Sequence, residues 1–266
     1  MRWGMPAAAG SLPSSLDLHA MSYSVDFFVG LHQPSDARHF NRCMISVNRL
    51  ETRVSDFEVG QWIMDSGAFT ELTRHGRHRR SVETYARLIE RWSNCGTLLA
   101  AVAQDWMCEP FVIERTGLSV AEHQRRTIER YDALIAECQA DTYIMPVLQG
   151  YRPSEYVQHI ADYGERLACG AWVGVGSVCK RNSTVSSVEA VLMAIHSARP
   201  DLRLHGFGLK KTALQSATVR RLLATSDSMA WSYAARREGR NANDWREARR
   251  YVRSIRAAPL QTSLHL

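Results

Sequence analysis

The sequence predicts an α/β fold, a single (β/α)8 TIM barrel, on three observations. Eight short runs rich in β-branched and aromatic residues recur along 266 residues, helical patterns lie between them, and several of the runs stop at an acidic or amide side chain. Alternation of strand and helix favours a parallel sheet, and eight repeats in about 250 residues favour closure into a barrel over an open doubly wound sheet.

The first strand is expected at 25–30 (Val25-Asp26-Phe27-Phe28-Val29-Gly30), the second at 43–48 and the third at 61–65, with the first two units the least regular. Tyr85, Leu88, Ile89 and Trp92 then follow the i, i+3, i+4, i+7 stripe of an amphipathic helix. After a fourth strand at 98–104, Ser119 and Glu122 form a capping-box pair, opening a helix whose stripe is Ile128, Tyr131, Ile135 and Cys138. The fifth strand, 143–148, is followed by Pro153, which suits a first helical turn. Strands six to eight are expected at 171–176, 202–207 and 226–230. A last helix from Asp244 to Ala257 sets Trp245, Ala248, Val252 and Ile255 on one side and Arg246, Arg249, Arg250, Arg253 and Arg256 largely on the other. It can dock on the barrel and present a basic surface.

Length and a 45% hydrophobic content suit one large core, expected over residues 23–258, with 1–22 a loose N-terminal extension and 259–266 a tail. No apolar stretch approaches the ~18 residues that cross a bilayer, and the first 22 residues lack the apolar centre of a signal peptide. A cytoplasmic protein with no membrane partner is expected. The six cysteines lie far apart with no C-x-C or C-x-x-C pair, so they read as reduced thiols, mostly in the core. His75 and His78 lack a third ligand and read as part of an exposed basic loop. Neither a metal nor a cofactor is expected.

The net charge of +6 is unevenly placed. From Arg236 and Arg237 onward, eight arginines face only Glu238, Asp244 and Glu247, and a second basic cluster, Arg74, Arg77, Arg79 and Arg80, follows the third strand. Both clusters, with Arg249, Arg250 and Arg253 in the last helix, suit a nucleic acid. Arginine supplies 30 of the 33 basic residues, a bias that suits solvated faces too.

A parallel barrel takes its catalytic groups from the C-terminal ends of its strands. There the sequence sets Asp65, Asp105, Gln149, Gly176, Gly206 and Asp227. Two carboxylates on opposite sides of a barrel mouth, Asp65 and Asp227, can cleave a glycosidic bond, one attacking the anomeric carbon while the other handles the proton. Asp105 and Gln149 match a guanine-like edge, since the carboxylate accepts from N1–H and the 2-amino group and the amide can donate to O6. Phe69 offers a stacking face. Gly174 and Gly176, and Gly206 with Gly208, look like close-approach turns. Each of these residues alone can equally cap a turn or satisfy a loop; their joint placement points to chemistry.

Asp65-Ser66-Gly67-Ala68-Phe69, Gln104-Asp105, Leu148-Gln149-Gly150, Val173-Gly174-Val175-Gly176, His205-Gly206-Phe207-Gly208 and Asp227-Ser228 resemble, in order, the motifs of tRNA-guanine transglycosylases, over residues 24–240. The resemblance implies Asp227 as covalent nucleophile, Asp65 as general acid/base, and Asp105 and Gln149 as readers of the purine edge. It also implies Gly150, Gly174, His205 and Gly206 in the base pocket, Phe69 stacking on the base, and a backbone N–H from the turn ending at Gly176. The tRNA enzymes carry a C-x-C-x-x-C zinc subdomain, whereas here no cysteine follows Cys179. A shorter, arginine-rich chain without that motif is more similar to the phage-type deazapurine DNA transglycosylases of the same superfamily. That branch implies DNA as partner, with the target nucleotide flipped from the duplex, a 7-deazaguanine such as preQ0 as the incoming base, and protection from restriction. Transfer to tRNA, hydrolysis of a glycoside or nucleoside, and non-catalytic nucleic-acid binding are the competing functions, and the oligomeric state is open.

Overall fold

The computed structural model describes residues 25–257 apart from 182 and 183, so the expected 1–22 extension and 259–266 tail lie outside the described residues. Nine parallel strands form a nearly closed barrel: β1 (Asp26–Leu31), β2 (Arg42–Ser46), β3 (Gln61–Asp65), β4 (Thr97–Val102), β5 (Tyr143–Met145), β6 (Val147–Leu148), β7 (Trp172–Val175), β8 (Arg203–Gly206) and β9 (Leu223–Ser228). Hydrogen-bonded neighbours run β5-β4-β3-β2-β1-β9-β8-β7-β6. The expected fifth strand is two segments, because Pro146 has no N–H to give the ladder. β5 pairs with β4, β6 pairs with β7, and the Pro146 carbonyl accepts from Gly174 N–H at 2.9 Å, so eight barrel positions hold nine segments.

Period-two alternation sorts the side chains. Phe28, Met44, Ile63, Ala100, Val102, Met145 and Val147 form the cluster inside the barrel, while Val29, Cys43, Ile45, Trp62 and Met64 face the helical layer. That layer contains α1 (Ala68–His75), α2 (Val82–Trp92), α3 (Pro110–Thr116), α4 (Val120–Glu137), α5 (Pro153–Tyr163), α6 (Val185–Ala198), α7 (Lys211–Leu214), α8 (Ala217–Leu222), α9 (Ala230–Arg237) and α10 (Trp245–Arg256). Side chains of Ser81, Ser119, Ser216 and Asp244 accept first-turn N–H groups, and Pro153 opens α5 as its missing donor allows.

The irregular early units have a physical form: only 3-10 turns, Pro34–His39 and Val47–Arg49, stand where β1–β2 and β2–β3 crossover helices would be. The last strand begins at Leu223, three residues before its expected start, because α8 runs straight into it. In α10 the buried residues are Glu247, Ala248 and Ile255. Glu247 is kept charged by ion pairs with Arg240 and Arg250, while Trp245 stacks on His39 at 3.9 Å rather than entering the core. Cys43, Cys95 and Cys108 are buried, whereas Cys169 is exposed. Among the described residues no helix is long and apolar enough to cross a membrane.

Candidate active site

The carboxylates meet at the C-terminal rim of the sheet. Asp65 closes β3 and pairs in register with Ser46 of β2, and Asp227 lies next to last in β9, opposite Phe28 of β1. Asp105 follows β4 and Gln149 follows β6. All four line one cavity of about 290 Å³, with Phe69, Gly176, Ser177, Glu109 and Met229. That volume matches the smallest ligand sites, roughly 300 Å³, and suits one base rather than an oligonucleotide.

Asp227 is held on one oxygen. Gly208 N–H donates to Oδ1 at 2.9 Å and His205 Nε2 lies 3.4 Å from the same atom, which leaves Oδ2 to the cavity. Trp172 Nε1–H donates to Thr225 Oγ1 at 2.8 Å, and Thr225 Oγ1 lies 2.8 Å from His205 Nδ1. If the threonine proton goes to Nδ1, the neutral ring carries its own proton on Nε2, facing Asp227. His205 therefore lies behind the carboxylate and does not line the cavity.

Burial pushes the Asp65 carboxyl up, helped by the nearby charge of Asp227 and opposed by the Ser46 hydroxyl, the Gly67 N–H and Arg80. Two carboxyls at one mouth thus sit in different environments, Asp227 accepting from the Gly208 N–H and Asp65 biased toward its proton. Asp105 is almost fully enclosed, and burial followed by repulsion from Asp65 pushes it up to about 7. Gln149 Nε2 donates to Asp105 Oδ2. Beneath Asp105, His78 Nε2 bonds its carbonyl at 2.9 Å; burial holds that imidazole down at about 4. His78 belongs to the packed floor, not to the exposed loop expected for it.

The glycines divide. A Cβ on Gly176 would stand 2.1 Å from Gln149 Nε2, so only glycine leaves room for that amide. Its N–H, expected to reach a base, instead donates to the Leu148 carbonyl at 2.9 Å, because the β6–β7 ladder runs one residue further. Gly174 packs under the Phe207 ring, Gly206 against Leu209 and Leu223, and Gly150 against Glu155 and Tyr156; none of the three lines the cavity.

The arginines separate as well. Arg74 and Arg77 are exposed on the mouth side, where α1 ends and the next loop begins. Arg79 is exposed but pairs with Glu71. Arg80 is buried: its guanidinium bonds Asn48 and Glu51 and its carbonyl accepts from Gln104, so it braces the segment before Asp105 instead of offering a phosphate contact. Arg236 and Arg237 are exposed at the end of α9, and Arg236 is close enough to His32, just past β1, to help depress its pKa after burial and Arg49. Arg249 and Arg253 line a different cavity of about 700 Å³ with Asp26, Arg42 and Gln61, the first residues of β1, β2 and β3. They lie at the opposite end of the barrel from the carboxylates. Arg250 pairs with Glu247.

Several residues went unnoticed in the sequence. Glu109 and Ser177 bond each other and reach the cavity, and Ser177 takes φ +55, the one positive value outside glycine among the described residues. Phe111 and Tyr151 join Phe69, the expected stacking residue, in lining an adjoining space of about 850 Å³; each of the three is more than 40% exposed, and the Arg181 guanidinium lies 4.1 Å from the Tyr151 ring centroid. Among the described residues no group of three or more His, Cys, Asp or Glu side chains could hold a metal ion.

A parallel barrel with acidic and amide side chains gathered at its C-terminal mouth has the frame of a barrel enzyme. The sequence profile of DpdA, described as DeoxyPurine in DNA protein A, matches residues 23–244. The chain belongs to the DpdA family, and with it to enzymes of transglycosylase type that act in deazapurine modification of DNA. No curated protein matches the chain.

Proposed function

We propose that the protein exchanges guanine in DNA for a 7-deazaguanine of the preQ0 type through a glycosyl ester on Asp227. The observation that carries this reading is the convergence of Asp65, Asp227 and the Asp105–Gln149 pair on one base-sized cavity in a DpdA-family chain. Asp227 Oδ2 attacks C1′ of a flipped deoxyguanosine, the C1′–N9 bond breaks, and the departing base takes a proton from Asp65. In the second half Asp65 removes the N9 proton of the incoming base, N9 attacks C1′, and the ester bond to Asp227 breaks. Asp105 accepts from N1–H and the 2-amino group while the Gln149 amide donates to O6. Replacing N7 by carbon removes a major-groove acceptor that nucleases can read, a physical route to protection from restriction.

Gly176→Ala is expected to push the Gln149 amide off its position and lower kcat/KM for the base at least about tenfold, as overpacking at a close contact does. DNA affinity, measured separately, should be retained.

Exposed Arg74, Arg77, Arg236 and Arg237 supply the charge on the mouth side, and Phe69, Phe111 and Tyr151 offer faces for bases displaced beside the target. Neutralising Arg74 and Arg77 to Gln should weaken DNA binding and flatten the slope of log affinity against log salt by about one unit for each phosphate left without its arginine. Arg249→Gln with Arg253→Gln, at the far end, should leave both unaltered. Equal effects from the two pairs would remove the mouth-side docking surface.

The deciding experiment offers labelled preQ0 or guanine with duplex DNA or tRNA and asks which polymer retains label. Label in DNA supports the reading, label in tRNA moves the substrate, and base release without incorporation makes the enzyme a hydrolase.

A further inference from the structure

Between Asp105 and Glu109 runs an unbroken chain of hydrogen bonds. Glu109 Oε2 lies 2.7 Å from Ser177 Oγ, Ser177 Oγ lies 2.7 Å from Gln149 Oε1, and Gln149 Nε2 bonds Asp105 Oδ2. Cys108 N–H donates to Ser177 Oγ at 2.8 Å, so one lone pair of that hydroxyl is already taken. A hydroxyl has one proton, and an amide has its oxygen at one end and its N–H groups at the other. With both carboxyls ionised, one contact in the chain must join two acceptors, whichever way the amide is turned. One proton on either carboxyl satisfies every contact. Placed on Glu109, it runs Glu109 to Ser177 to the Gln149 oxygen and leaves the amide N–H groups on the Asp105 side. Placed on Asp105, it requires the amide to turn over, and Ser177 then donates to Glu109.

We propose that Asp105 and Glu109 share a single proton across the Ser177–Gln149 bridge, and that holding it on Glu109 is what sets the pocket to read a guanine-type edge. This rests on the base-exchange reading above. In the Glu109-protonated arrangement Asp105 is an anionic acceptor and Gln149 presents its donor, the pattern that N1–H, the 2-amino group and O6 require. The other arrangement presents a protonated acid and an amide oxygen, which mispairs with that edge. Glu109 is thus a positioning residue for specificity, acting through Ser177.

The surroundings favour retention of a proton. Burial raises both carboxyls, and the charge of Glu109 raises Asp105 further. Facing Glu109 are Cys108 on its own segment, Cys179 and Arg181 after β7, Tyr156 on α5, and Asp105. Burial drives the Cys108 thiol and the Tyr156 phenol upward, so both stay neutral; the Ser177 and Cys179 hydrogen bonds and the charge of Arg181 pull Glu109 toward ionisation, against the larger effect of burial.

The test is the pH profile of kcat/KM for the base, measured with wild type, Glu109→Gln and Ser177→Ala. Wild type should give a bell whose two limbs belong to the coupled pair, falling about tenfold per pH unit beyond each midpoint. Glu109→Gln puts a permanent N–H donor on Ser177 and should keep the acid limb while losing the alkaline one, exceeding wild type about tenfold at the alkaline end. Ser177→Ala severs the bridge and should also lose the alkaline limb, with poorer discrimination between bases. In infrared difference spectra of a pH step across the alkaline limb, the carbonyl stretch of the carboxyl that ionises there should be lost from wild type, and Glu109→Gln should show no such change. An alkaline limb that persists in either folded variant, or a carboxyl band that still changes across the alkaline step in Glu109→Gln, overturns the proposal. Failure of wild type to incorporate base into any nucleic acid overturns the base-exchange reading instead, and the infrared comparison still decides whether the proton is shared.

Discussion

Asp227→Asn should abolish base exchange while leaving the barrel folded. The substitution is nearly isosteric, so Gly208 N–H and His205 keep an oxygen to bond, at 2.9 and 3.4 Å in the native chain. The anionic Oδ2 that would attack C1′ becomes an amide nitrogen with no nucleophilic lone pair. The expected loss in kcat is at least the ~10²-fold typical of a catalytic group, with DNA affinity and melting temperature close to wild type. Mass spectrometry on denatured protein after incubation with DNA should find the oligonucleotide adduct in wild type and none in the variant. Near-native turnover by Asp227→Asn would move the nucleophile elsewhere in the cavity.

Asp105→Asn should separate activity from stability in opposite directions. Asparagine sets an N–H group against a base donor, and mispaired buried groups at about 1–3 kcal/mol each predict a loss of roughly tenfold to a few hundredfold for guanine and preQ0 alike. Adenine should remain unused by the wild type; its efficient exchange would refute the edge-reading pocket. Exchange by wild type should decline as pH falls below about 7, where Asp105 takes up a proton and ceases to accept. Stability runs the other way. The folded carboxyl holds its proton to about 7 against an ordinary 3.8, so the associated stability is complete at acid pH and is lost as pH rises toward 7. Removing the charge should therefore raise the melting temperature at pH 8 and not at pH 4, with a gain in stability of at most about 4 kcal/mol at 1.36 kcal/mol per pH unit. A variant less stable than wild type at pH 8 would mean that the charge is satisfied by its neighbours.

The fold was largely legible because strand and helix periods are local. The expected strand at 61–65 coincides with β3, and Ser119, Pro153 and Asp244 mark helix starts through groups only a few residues away. The less legible parts depended on distant contacts. Leu223 to Thr225 enter the last strand through pairing with β8 and β1, and Pro146 divides a strand whose halves bond opposite neighbours.

The sequence by itself determined the alternation that makes a parallel barrel and the polar residues at its strand ends, because short-range pattern decides both. Only the tertiary structure decided what surrounds those residues. It buried His78 beneath Asp105 and Arg80 against Asn48 and Glu51, sent Arg249 and Arg253 to the far end of the barrel, and used the Gly176 N–H within the sheet. It also joined Glu109 to Ser177 across 68 residues and Ser177 to Gln149 across 28. Burial, hydrogen-bond partners and proton affinity belong to the assembled neighbourhood, and strands far apart in the chain become neighbours only when the barrel closes.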